Sequence, residues 1–110
     1  MSRRDTVMLR DIAVAISAIR RHLRHGELSD ELVFDAVRMR LIEVGEAAKA
    51  LSDEARGLAP SVPWRLIAGM RDRLTHRYFE SDLDIIASTI ENDLPLLLKA
   101  IDTITGSDED

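Results

Sequence analysis

The chain has 110 residues, a formal net charge of −5 and no cysteine. That length holds one core, and a hydrophobic content of 45% excludes a wholly disordered chain. Without thiols there are no disulfides, thiolate nucleophiles or cysteine-held zinc and iron–sulfur centres, which fits a cytoplasmic protein. The acidic balance argues against coating nucleic acid by bulk charge, while leaving room for a local basic site. The longest apolar run, Ile12–Ile19, is broken by Ser17 and falls far short of the roughly 20 residues that span a bilayer. It leads straight into Arg20, Arg21 and His22, so neither a membrane span nor a secretory signal is expected.

In chain order, Leu9, Ile12, Ile16, Ile19 and Leu23 step by three and four and draw the buried stripe of a first helix. Arg20, Arg21, Arg24 and His25 crowd its last turn, where the helix dipole favours cations, and Gly26 is a natural stop. Ser29 or Asp30 can cap a second helix, whose stripe runs Val33, Val37, Leu41, Val44, Ala48, Leu51. Gly45, Ala47, Ala48 and Ala50 thin one side of it, so another backbone can approach there.

Asp53–Pro63, with Gly57 and Pro60, reads as a connection holding at most one helical turn. Pro63 suits the first position of a third helix that buries Trp64, Ile67, Met70 and Leu74. Ser81 and Asp84 have capping-box spacing for a fourth, along which Leu83, Ile86, Ile90, Leu94, Leu97, Ile101 and Ile104 repeat. Pro95 should kink that helix near Ile90–Asp93. The expectation is an all-α, up-down four-helix bundle over residues 1–105, with an acidic, frayed tail over 106–110.

One stretch departs from ordinary solvated charge: Arg71-Asp72-Arg73-Leu74-Thr75-His76-Arg77-Tyr78 joins three arginines, a carboxylate, a histidine and the only tyrosine. Arg20–His25 is its nearest rival. Asp72 and His76, four apart on a helix, share a face, so the carboxylate could orient the imidazole. Arg71 and His76, five apart, diverge by roughly 140° on a regular helix. They meet on one substrate only if the helix end distorts or a second chain contributes, as across a two-fold interface. Arg73 and Arg77 are candidates for a phosphate-binding edge.

Histidine moves protons near neutral pH and arginine holds phosphate, while RNA brings its own 2′-OH nucleophile. These groups need no metal to cleave RNA, and the sequence has no H-E-x-x-H, nucleophile elbow or phosphate loop. From the residues alone, metal-free RNA cleavage and a merely structural His76 both stay open. Tyr78, four after Leu74, can be core with its hydroxyl reaching water. Trp64 reads as packing, His22 and His25 as surface, and a buried Glu46 would need a partner such as a motif arginine.

Val44-Gly45-Glu46-Ala47-Ala48, Val62-Pro63-Trp64, Gly69-Met70-Arg71-Asp72, His76-x-Tyr78-Phe79 and Asp93-Leu94-Pro95 occur in order over more than half of the chain. This set resembles the HepT-like branch of the HEPN superfamily. The resemblance implies a dimeric helical bundle with Arg-x4–6-His motifs facing each other, and metal-independent ribonuclease activity as in toxins of toxin–antitoxin pairs. Arg71 and His76 would then be the catalytic pair, with Asp72 standing where many relatives have Asn. No cofactor is implied. The implied partner is a minimal nucleotidyltransferase antitoxin of the MntA type, which would silence the toxin by AMPylating Tyr78. The alternative is a HEPN module that binds a partner or RNA and cuts nothing.

Overall fold

The computed structural model describes residues 1–109, with side chains to residue 106. Helix α1 (Arg3–Leu23) starts where the Ser2 hydroxyl accepts from the Asp5 amide at 3.0 Å. It buries Leu9, Ile12, Ile16 and Ile19 as the periodicity predicts, and it ends three residues before Gly26. Helix α2 (Glu31–Ala50) is capped by Asp30, not Ser29: Asp30 Oδ1 accepts from the Leu32 amide at 2.8 Å. Asp5 ties the two together as an antiparallel pair. Its buried carboxylate accepts from the Ser52 amide at 2.9 Å and the Ser52 hydroxyl at 2.6 Å. Those bonds hold the Asp5 carboxyl below its ordinary pKa against the opposing pull of burial.

A single turn, α3 (Asp53–Gly57), sits in the expected connection. Trp64 packs beneath it, its indole N–H donating to the carbonyls of Arg56 (3.1 Å) and Ala59 (2.9 Å). The third helix expected from Pro63 is broken into α4 (Trp64–Ala68) and α5 (Met70–Thr75) at Gly69. This pair lies antiparallel on α2, and Gly45 makes the close contact. A Cβ on Gly45 would stand 2.9 Å from the Arg71 amide nitrogen and 3.0 Å from the Ile67 carbonyl oxygen. The thin side of α2 is therefore a backbone-to-backbone seam.

Helix α6 (Phe79–Ser88) begins three residues earlier than the Ser81–Asp84 spacing suggests. Tyr78 is its cap, and the carboxylate that reaches back is the buried Asp82, whose Oδ2 accepts from the Tyr78 amide at 3.0 Å. A π-helical segment, Thr89–Asp93, follows at the position where a kink is expected. Pro95 has no N–H to donate, and the ladder widens before it: the Leu94 amide reaches Thr89 O, five residues back. Helix α7 (Leu94–Glu109) returns against α1 and buries Leu97, Ile101 and Ile104. Its backbone stays helical beyond the tail boundary expected at residue 105, and Asp110 lies outside the described residues.

The outcome is an all-α bundle of HEPN type, 43 × 25 × 21 Å, with no strand among the described residues. No described helix is long and apolar enough to cross a membrane.

Candidate active site

The seam at Gly45 sets the position of Arg71. Because α5 rests directly on α2 there, Glu46 reaches up to Arg71, with Nε 3.3 Å from Glu46 Oε1. The second contact is Nη1 to Asp72 Oδ1 at 3.2 Å. Both carboxylates raise the already high pKa of the guanidinium, Asp72 more than Glu46. Glu46 does take a motif arginine as its partner, but it is exposed, not buried: its side chain keeps 57% of its surface accessible.

The shared face expected for Asp72 and His76 does not form, because α5 stops at Thr75. His76 has left the helix for an extended conformation (φ −91°, ψ 121°), and Asp72 turns to Arg71. The regular-helix angle therefore no longer relates Arg71 to His76; the helix end is distorted within one chain. The end is well held. Arg38 Nη1 donates to the Leu74 carbonyl at 2.7 Å, and the Thr75 hydroxyl donates to the Arg71 carbonyl. His76 is exposed, and its imidazole makes no hydrogen bond among the described residues. Tyr78 is 62% exposed, and its hydroxyl is equally unengaged.

Arg73 and Arg77 do not share an edge. Arg73 is exposed on α5 without an ion pair among the described residues, beside an apolar groove of about 810 Å³ lined by Trp64, Leu66, Met70 and Ile85. Arg77 lies beyond the helix end and turns back onto α2. Its Nε is 2.5 Å from Asp35 Oδ1 and its Nη2 3.1 Å from Glu31 Oε2. The Asp35 hydrogen bond chiefly raises its pKa.

Sequence reasoning missed Glu31, Asp35, Arg38 and Asp82, all of which brace the site. Only Asp35 and Arg38 carry a local signal, an i,i+3 charge pair 3.8 Å apart in the structure. Among the described residues no three His, Asp or Glu side chains are grouped to hold a metal ion. What the arrangement offers is an unengaged imidazole and phenol, with a carboxylate-braced guanidinium on the preceding helix.

Comparison with known proteins bears on that arrangement. A family model described as "Ribonuclease HepT-like" matches residues 9–104. A protein of Thermococcus cleftensis, "Probable ribonuclease HepT", is 37% identical over 101 residues, 88% of this chain and 92% of that one. "Putative RNase TTE0752" of Caldanaerobacter subterraneus is 46% identical over 61 residues, covering 56% of this chain and 54% of its own. "Putative RNase MJ0127" of Methanocaldococcus jannaschii is 36% identical over 86 residues, 74% of this chain and 71% of that one. No solved structure matches the chain. With its helical bundle and a family match that spans Arg71, His76 and Tyr78, the chain belongs to the HepT-like ribonuclease family.

Proposed function

We propose that the protein is a metal-independent endoribonuclease, the toxin of a toxin–antitoxin pair, acting as a homodimer. The observation that carries this reading is the stop of α5 at Thr75. It presents an unengaged His76 to solvent just past the braced Arg71. The ribonuclease names of relatives covering most of the chain support it.

In this reading a neutral His76 takes the proton of the RNA 2′-OH. The oxygen attacks the adjacent phosphorus, the P–O5′ bond breaks, and the departing 5′ oxygen takes a proton from the partner chain's imidazole. The products are a 2′,3′-cyclic phosphate and a 5′-hydroxyl. Arg71 stabilises the charge that gathers on the phosphorane oxygens. Asp72 fixes Arg71, and Arg73, without an ion pair among the described residues, offers a cation for a flanking phosphate. The single imidazole per motif is the reason for proposing two chains, since base and acid must both be present. A minimal nucleotidyltransferase antitoxin would silence the site by transferring AMP from ATP to the exposed Tyr78 hydroxyl, with release of pyrophosphate. The added bulk and negative charge would repel an RNA phosphate.

One observation favours a second reading, a binding module without chemistry: two carboxylates already compensate Arg71. A single assay separates the two. Wild type and His76→Ala, matched for helicity and mass, are incubated with total cellular RNA in EDTA. Cleavage by wild type alone, leaving cyclic-phosphate ends, establishes the nuclease. Retardation of RNA without products, with Tyr78 unmodified by mass spectrometry, establishes the binding module.

A further inference from the structure

Arg77 stands between His76 and Tyr78 in a three-residue run outside any helix, with Tyr78 at φ −120° and ψ 83°. Arg77 folds back onto α2 while its neighbours His76 and Tyr78 stay exposed, so the hold on Arg77 fixes the stretch from which both project. The hold is dense. Two carboxylates of α2, Asp35 and Glu31, take the guanidinium at 2.5 and 3.1 Å. Its central carbon also lies 5.5 Å from the ring centroid of Phe34 and 5.6 Å from that of Phe79. Those rings meet edge to face at 4.7 Å, joining α2 to the start of α6. Asp82 pins the far end of the run through the Tyr78 amide.

From this geometry we infer that Arg77 is a positioning residue: its clamp onto Glu31, Asp35, Phe34 and Phe79 sets where His76 and Tyr78 project. It is not a phosphate ligand. Its guanidinium is turned onto α2 between two carboxylates and two aromatic rings, whereas Arg71 keeps half of its side chain accessible beside its own carboxylates. A planar fork that stacks on rings while bonding two carboxylates is a task lysine cannot reproduce. For its catalytic consequence the inference rests on the ribonuclease reading; for its geometric content it does not.

The test compares wild type with Arg77→Ala, Arg77→Lys and the double variant Glu31→Gln/Asp35→Asn, which dismantles the clamp without touching residues 76–78. Two readouts are taken below each melting temperature. The first is steady-state cleavage of a labelled RNA oligonucleotide. All three variants should lose about 10- to 100-fold in kcat with KM within about 2-fold, the pattern of a misplaced group and not of a lost contact. The second is NMR of the RNA-free protein, where Tyr78 amide exchange should accelerate and the His76 ring resonances should shift in all three. An unchanged kcat beside a raised KM, with the salt slope of RNA binding falling by about one, overturns the proposal in favour of phosphate binding. Unchanged Tyr78 exchange and His76 resonances overturn it whatever the activity. Failure of the wild type to cut RNA, with the NMR changes present, removes the ribonuclease reading and leaves the clamp standing.

Discussion

Two regions of this molecule are equally rich in cations and differ in what holds them. At the end of α1, Arg20 and Arg21 are exposed on the last turn and Arg24 just past it, and none pairs with a carboxylate among the described residues. His22 is half-buried there, its pKa lowered by burial first and then by Arg40, Arg21 and His25. Favourable interaction with the helix dipole accounts for such a cluster. At the α5–α6 junction, Arg71 and Arg77 are each fastened by two carboxylates, and Arg38 caps the last turn of α5. Charge density alone therefore does not mark the site; what separates the two regions is a set of contacts that fixes direction. An active site needs direction because its groups must meet the reacting atoms at set distances.

Substitutions can break or sharpen that contrast. The largest effect is expected at His76. His76→Ala should lower cleavage by about 100- to 10,000-fold, the range of general acid–base groups, with the melting temperature unmoved. Arg71→Ala should cost about 100-fold in kcat by removing one charged donor. Next comes the seam that carries Arg71. Gly45→Ala drives a methyl into the backbone of α4 and α5 and should destabilise by about 1–3 kcal/mol, measured by urea unfolding. It should also lower kcat, because Arg71 must move with its amide.

Asp5→Ala should cost about 2 kcal/mol through the loss of two hydrogen bonds to a buried carboxylate, with no change in kcat after correction for folded fraction. The pH sign follows from its depressed pKa. The folded carboxyl stays ionised where the unfolded one, at an ordinary value of 3.8, takes up a proton. The stabilisation is whole above that value and is lost as pH falls through the lower folded pKa. Acid titration of unfolding should therefore show wild type and Asp5→Ala converging below pH 3.8. The smallest effect belongs to α1. Arg20→Gln, Arg21→Gln and Arg24→Gln together should leave kcat within about 2-fold and cost about 0.5 kcal/mol or less at each position. A large loss of kcat there would erase the contrast between the two regions.

Much of the fold was legible in the residues because burying one face of a helix is a local pattern. The stripes of α1 and α2 are buried where the three-and-four steps place them. The seam at Gly45 could be anticipated from small side chains alone, and Trp64 does pack. The same local reading put the start of the fourth helix at Ser81 and so missed Asp82, whose partner is the amide preceding α6. It also carried α5 through His76. On that footing it gave Asp72 to His76 and Arg77 to an edge with Arg73, since both pairs assume helix at every position.

By itself, then, the sequence determined the helical class, the buried stripes, the thin face of α2 and the short stretch that carries Arg71, His76 and Tyr78. Tertiary structure alone decided where α5 stops and which way that stretch faces. The groups that decide it, Glu31 and Asp35, lie 46 and 42 residues before Arg77. Contacts at such separations exist only once α2 and α5 are packed together, and no periodicity along the chain records them.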